Sequence, residues 1–277
     1  MSILDGLIGC WSPSLGASGY RLMDCTRYGN YGTLTNMDAG TDWVAIPPRG
    51  MALDFDGTDD YVDFGTKPNL GAATGVTYSA WVYRATVGTM LVMSRYNTST
   101  GTGNIRTDYF GTNTGTTPGQ IHVRVGGTNS TDASMFYSTE AIAAAAWSHI
   151  AASVVVAGTS TTCVITLNGK PCIVNTAHGG TQPSVIADNN VVLWRSMAIT
   201  TGGGSNVYYS GRVAEMAVWN TAKPVSELCE LARLGNGWIG RELRGLNRRR
   251  RAVKGPSFRA AWALRQKMIV GSGGGLG

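Results

Sequence analysis

The chain has 277 residues, 38 of them glycine, with 23 Lys and Arg against 17 Asp and Glu and a formal net charge of +6. Glycine is about twice its usual share, while charged residues fall well below the common ~25%. The 43% hydrophobic content excludes wholesale disorder, and no apolar run approaches the ~18 residues that a membrane-crossing helix needs.

At the start, Leu7-Ile8-Gly9-Cys10 has the outline of a lipoprotein cleavage site. No Lys or Arg precedes it, Asp5 interrupts it, and its apolar run is too short for a secretion signal. It reads instead as a first strand over 6–11, and synthesis in the cytoplasm without a signal peptide is expected. Period-two segments bounded by turn residues then recur over 51–56, 59–64, 76–84, 89–95, 104–110, 120–126, 147–157, 162–168, 171–176, 190–195 and 211–219. Such a succession is the signature of an all-β sandwich or barrel. Over 76–84, Tyr78, Ala80, Val82 and Arg84 share one face and Thr77, Ser79, Trp81 and Tyr83 the other. Over 120–126, Ile121, Val123 and Val125 oppose His122 and Arg124. Turns are expected at Asp56-Gly57, Asn168-Gly169 and Gly202-Gly203-Gly204. Residues 97–119, rich in Thr, Gly, Asn and Ser, read as surface loops around a short strand.

One helix is predicted in the body, from Pro224 at its first position to about Leu234, with Val225, Leu228, Leu231 and Ala232 as its buried stripe and Gly235 ending it. Beyond Gly240 the pattern changes. Residues 241–277 hold ten basic residues and one acid, Glu242, whereas residues 1–240 hold 13 basic and 16 acidic ones. The chain is therefore expected to divide into a nearly neutral body, 1–240, and a basic Arg/Gly-rich anchoring tail, 241–277. In that tail Ser257 caps a short helix predicted over 258–269.

The cysteines, Cys10, Cys25, Cys163, Cys172 and Cys229, are odd in number and lack zinc-like spacing. An Asn168-Gly169 hairpin sets Cys172 opposite Ile165 and Cys163 opposite Val174, so those two sulfurs lie diagonal and are not expected to bond. All five read as small buried hydrophobes in a reducing environment.

Several segments together carry a family resemblance. They are Gly29-Asn30-Tyr31-Gly32-Thr33-Leu34, Ala52-Leu53-Asp54-Phe55-Asp56-Gly57-Thr58-Asp59-Asp60-Tyr61-Val62, Tyr78-Ser79-Ala80-Trp81-Val82, Trp147-Ser148-His149-Ile150-Ala151, Leu167-Asn168-Gly169-Lys170 and the run from Gly211 to Asn220. In this order they resemble the laminin-G-like, concanavalin A-like jelly rolls over roughly residues 5–235. The resemblance implies a two-sheet antiparallel jelly-roll sandwich with one C-terminal helix, here followed by an extended basic tail. Thr35-Asn36-Met37-Asp38, Asp42-Trp43 and the basic, glycine-rich end further resemble phage-encoded and environmental bacterial members.

Jelly-roll glycosidases carry closely spaced Glu and Asp on one strand, because a retaining pair sits about 5–5.5 Å apart. Of the five glutamates here, Glu227 and Glu230 fall on the helix, Glu140 in a loop and Glu242 in the tail, and Glu215 has no acidic neighbour on its strand. No catalytic residue and no cofactor is expected. Asp56, Asp59 and Asp60 offer the oxygen ligands that Ca²⁺ takes, but the same residues make a sound turn, which is the preferred reading. Trp43, Tyr208 and Tyr209, and with them Tyr109 and Phe110, are candidates for stacking on sugars, whereas Trp81, Trp147 and Trp219 read as strand residues. His122, His149 and His178 are dispersed and read as structural.

The candidate partner-binding residues are Arg248, Arg249, Arg250, Arg251, Lys254, Phe258, Arg259, Trp262, Arg265 and Lys267. Their cations suit phosphates of nucleic acid or carboxylates of a protein. The interleaved Phe258, Trp262, Leu264 and Ile269 favour docking on a protein over a nonspecific arm. The expectation is a non-enzymatic, multimeric structural protein of a larger assembly, a phage virion component such as a capsid decoration or tail-associated protein, with no membrane contact. A lectin-like glycan-binding module and a glycoside hydrolase are the alternatives.

Overall fold

Alternation of apolar and polar side chains organises most of the chain into strands. The computed structural model describes residues 2–48, 50–71, 73–85, 90–97, 107–113, 118–126, 133–158, 160–179, 186, 192–200 and 206–253. In chain order the strands are β1 (Leu7–Trp11), β2 (Arg21–Leu22), β3 (Gly32–Thr35), β4 (Trp43–Ala45), β5 (Met51–Asp56), β6 (Tyr61–Gly65), β7 (Gly75–Tyr83), β8 (Met90–Asn97), β9 (Thr107–Asn113) and β10 (Gln120–Gly126). They continue as β11 (Ala133–Ala141), β12 (Trp147–Ala157), β13 (Ser160–Leu167), β14 (Lys170–Pro171), β15 (Val174–Gly179), β16 (Val192–Ser196), β17 (Ala198–Thr200), β18 (Asn206–Tyr208) and β19 (Ser210–Trp219), and two helices follow, α1 (Val225–Leu234) and α2 (Trp238–Val253). The chain divides after Gly240 into two units, Met1–Gly240 and Arg241–Gly277, each described by itself.

Within the first unit, one sheet runs β14-β13-β12-β7-β19-β5-β4, with β1 also paired to β19; the other runs β15-β11-β10-β9-β8-β16-β6-β3-β2; β17 and β18 pair separately. The pairing is antiparallel, and the result is the two-sheet jelly-roll sandwich that the sequence predicts. Val76, Tyr78, Ala80 and Val82 of β7 and Ile121, Val123 and Val125 of β10 are buried in one shared core. Tyr78 stacks on Phe110 across the two sheets with ring centroids 5.4 Å apart. Each large apolar side chain so buried contributes about 1.5–3 kcal/mol, so the interleaf is the main source of stability.

The Asn168-Gly169 turn forms as expected, with φ of 50° and 76° and Leu167 opposite Lys170, the two positive angles of a type I′ hairpin. Cys172 donates its N–H to Ile165 O, and all five cysteines are free thiols.

Other expectations are corrected. Five short strands (β2, β3, β4, β17 and β18) and the longer β11 were not predicted. The predicted 171–176 strand is instead the two-residue β14 followed by β15. Pro224 is the N-cap of α1, not its first residue. In α1, Leu228 and Leu231 are buried but Val225 is exposed. Residues 238–253, left outside any predicted helix, form α2; Ile239, Leu243 and Leu246 recur at helical spacing. The Gly202–Gly204 turn and the 258–269 helix lie outside the described residues. Among the described residues no helix is long and apolar enough to cross a membrane.

Candidate functional site

Each sheet has a face turned away from the core, and the two faces differ. On the eight-stranded sheet, β7 and β12 present Ser79 and His149, both buried, with Ser79 Oγ 2.9 Å from His149 Nε2. Helix α1 packs on β12 and β13 above them. Burial lowers the His149 imidazole to about 3, so it is neutral at ordinary pH. Glu215 lies on this side too, buried, accepting from Ser12 Oγ at 3.2 Å and from the Gly240 N–H at 3.5 Å. At the edge of this face, Ile46, Pro47, Pro48 and Trp147 line a cleft of about 440 Å³.

On the nine-stranded sheet, register sets Met135, Arg124, Tyr109, Ser94, Arg195 and Asp63 side by side on β11, β10, β9, β8, β16 and β6. Residues directly opposed in antiparallel strands share a face. The alternate positions, Phe136, Val123 and Phe110, point into the core, so this row points outward.

At one end the row carries an aromatic cluster. His122 stacks on Tyr137 at 4.1 Å and meets Tyr109 edge-on at 4.6 Å, and its Nε2 lies 3.3 Å from the Tyr109 hydroxyl. His122 is buried between two half-buried phenols. Burial, with a smaller contribution from Arg124, lowers the His122 imidazole to about 3. Burial pushes the Tyr109 phenol up to about 12, opposed by Arg124 and reinforced by Tyr137 and Tyr209, which places those three groups around it. Gly111 stands opposite His122. A Cβ there would come within 2.1 Å of Met90 O, so this position admits no side chain and the β8 backbone packs directly against it.

Toward the other end, Arg195 lies 4.6 Å over the Tyr61 ring and 3.9 Å from Asp63, and Tyr61 is 5.9 Å from Tyr208. Between the two ends, Ser94 donates its hydroxyl to Ala198 O at 2.6 Å. The β17–β18 pair therefore crosses the face above β8 and separates two aromatic–cationic basins. From β11 to β6 the face spans five strand spacings, roughly 24 Å. Half-exposed aromatic rings bordered by guanidinium and hydroxyl donors suit a ligand with apolar C–H faces and many hydroxyls.

Of the residues singled out from sequence, the structure brings Tyr109 and Tyr209 together and sets Tyr208 against Tyr61. Trp43 is corrected: it is buried, with Nε1 donating to Gly19 O at 2.9 Å. Phe110 is corrected likewise, being fully buried core. His122, Arg124, Tyr137, Tyr61 and Arg195 were not singled out. For His122 and Arg124 the signal existed, since the alternation of β10 sets them opposite the buried valines.

Asp56, Asp59 and Asp60 do converge, with carboxylate oxygens within 4.8 Å of one another. Asp56 accepts the N–H groups of Thr58 and Asp59, and Asp60 accepts that of Asp56. The Thr58 N–H holds Asp56 below the usual carboxylate range. Burial, together with the neighbouring Asp56, Asp42 and Asp59 charges, pushes Asp60 up to about 6. These oxygens are of the type calcium takes, but those of Asp56 and Asp60 are already engaged by the turn. The backbone of Arg248, Arg249, Arg250 and Arg251 runs in α2. Lys254, Phe258, Arg259, Trp262, Arg265 and Lys267 lie outside the described residues.

Residues 56–229 match the family model of the concanavalin A-like lectin/glucanases superfamily. No curated protein sequence matches the chain. Among solved structures, domain 4 of AbnA, a GH43 extracellular arabinanase from Geobacillus stearothermophilus in complex with arabinotriose, superposes with a TM-score of 0.53 at 16% identity, covering 82% of this chain and 98% of that one. The binding domain of botulinum neurotoxin serotype C1 gives 0.52 at 12% identity, covering 83% of this chain and 52% of that one. Trypanosoma rangeli sialidase in complex with sialic acid gives 0.50 at 15%, covering 83% and 33%. The chain thus spans about half the toxin domain and a third of the sialidase, and at these identities the likeness is one of fold.

Proposed function

Because this chain belongs to the concanavalin A-like lectin/glucanases superfamily, whose fold serves many functions, we propose from its own surface that it is a glycan-binding module that does not cleave its ligand. The observation that carries this reading is the Tyr109–His122–Tyr137 cluster beside Arg124 on the outer face of the nine-stranded sheet. Its phenols give stacking area, and its guanidinium gives hydrogen bonds to sugar hydroxyls. The arabinotriose held by a similarly folded domain supports the ligand class.

The carboxylates support binding without hydrolysis. On this row Asp63 is three strands from Tyr109, roughly 14 Å, and is paired with Arg195. Glu215 is buried on the other sheet, far from the ~5–5.5 Å spacing of a retaining pair.

An oligosaccharide array with arabinan-, galactan- and sialic acid-containing ligands tests the reading, followed by calorimetry on the best ligand. Selective binding that Tyr109→Ala and Tyr137→Ala both weaken is the expected result, with no reducing sugar released. Binding to none of them, or binding indifferent to both substitutions, contradicts it.

A second reading concerns the tail and rests on charge. Ten basic residues against one acid in 241–277 favour attachment of this module to a larger assembly, of which a phage virion is the concrete case. Deleting 241–277 is then expected to abolish co-purification with the assembly while the jelly roll still folds; retained co-purification contradicts it.

A further inference from the structure

We propose that Cys10 and Cys25 are a poised dithiol that closes to an intramolecular disulfide when the protein meets an oxidising thiol–disulfide pool. The backbone sets this up. Trp11 and Asp24 form an antiparallel bridge, which puts Cys10 and Cys25 directly opposite each other at the next position, where the Cys25 N–H donates to Cys10 O at 2.7 Å. A hydrogen-bonded antiparallel pair has Cα atoms about 5.5 Å apart, inside the ~4.4–6.8 Å window of a disulfide. Opposed side chains also share a face, unlike the diagonal pair Cys163 and Cys172.

The segment bearing Cys25 is held in place. Asp24 accepts the Cys10 N–H at 3.1 Å, the Thr26 N–H at 2.9 Å, the Thr26 hydroxyl at 2.6 Å and the Asn30 N–H at 2.9 Å. Asn30 in turn donates to Ile8 O and accepts from Trp11 Nε1. Closure therefore starts from a backbone already held in register. The two thiols touch: contact with the Cys25 thiol is the first cause, ahead of burial, that holds the Cys10 thiol well above its ordinary range.

Exposure sets the order of events. Cys10 is fully buried and Cys25 half-buried, so Cys25 is the entry point. Its thiolate attacks one sulfur of glutathione disulfide and expels one glutathione thiolate. The Cys10 sulfur then attacks the Cys25 sulfur as its proton passes to the departing sulfur, expelling the second glutathione as a thiol. The dithiol loses two electrons and two protons; glutathione disulfide gains both and leaves as two thiols. The bond staples β1 to the 24–30 segment and leaves the glycan face untouched, so it does not depend on the proposed function.

The test is to incubate the full chain with glutathione disulfide and map linkages by mass spectrometry, then count the remaining thiols in denaturant. A mass loss of two hydrogens, a Cys10–Cys25 crosslinked peptide and three remaining thiols are expected. The oxidised form is also expected to melt about 6–12 °C higher than the reduced form, a gain that Cys25→Ser abolishes and Cys172→Ser does not. A stable glutathione adduct on Cys25, a crosslink to another cysteine, or five thiols surviving oxidation in the folded protein overturns the proposal.

Discussion

The outer faces of the two sheets obey the same pleat but are finished differently. On the eight-stranded sheet, Ser79, His149 and Glu215 are buried beneath α1 and the N-terminal segment, with Ser79 Oγ against His149 Nε2 and Glu215 accepting from Ser12 Oγ and the Gly240 N–H. On the nine-stranded sheet, Tyr61, Tyr109, Arg124 and Tyr137 remain half-exposed, and among the described residues the β17–β18 pair is what crosses this face. A covered face returns its chemistry as stability, whereas an uncovered one leaves it for a ligand.

Breaking the covered face gives the largest effect. Trp219 is fully buried there, and its Nε1 donates to Ile3 O at 2.8 Å. Trp219→Ala is expected to cost about 3–5 kcal/mol in urea unfolding, with ligand affinity of the folded fraction unchanged.

Acid separates the faces less sharply, because each buries one imidazole. His122 and His149 both have folded values near 3, depressed from an ordinary value near 6.5. Their neutral forms stabilise the fold fully above pH ~6.5, and that stability is lost as pH falls from there toward 3. The loss approaches about 1.4 kcal/mol per pH unit for each proton taken up on unfolding. Asp60, raised to about 6, acts in the opposite sense, since its contribution is lost as pH rises through 6. Unfolding free energies between pH 7 and 4 are expected to fall, and His149→Gln to remove about half of the histidine part of that slope.

On the open face the expectation reverses. Tyr137→Ala is expected to weaken oligosaccharide binding about 10-fold, a typical cost of about 1.4 kcal/mol for losing an aromatic contact, while Tm moves little. The smallest effect sharpens the division into two basins. Arg195→Gln is expected to weaken long oligosaccharides about 3-fold, or somewhat under 1 kcal/mol, and to leave short ones that fill only the Tyr109 basin unaffected.

Much of the sandwich was legible because β5, β7, β10, β12 and β19 alternate cleanly. β11 was not, and with it went Tyr137. Its inward residues are Ser134, Phe136 and Ser138, all buried, and its outward ones Met135 and Tyr137, so apolar side chains fall on both faces and the period disappears. Trp43 misled for a related reason. Its strand has only three residues, too few to show a period, and nothing local reveals that its indole reaches Gly19 O. α2 was hidden by Gly240 and Gly245, which interrupt a helical pattern. The opposition of Cys10 and Cys25 rests on a bridge between distant segments, which no local pattern encodes.

Hydrogen exchange with and without the best-binding oligosaccharide tests the central claim most directly. Protection that spreads over β9, β10 and β11 and leaves Ile46–Pro48 and Trp147 unchanged is the predicted result. Protection centred on the Ile46–Trp147 cleft, with β9–β11 unaffected, contradicts the account.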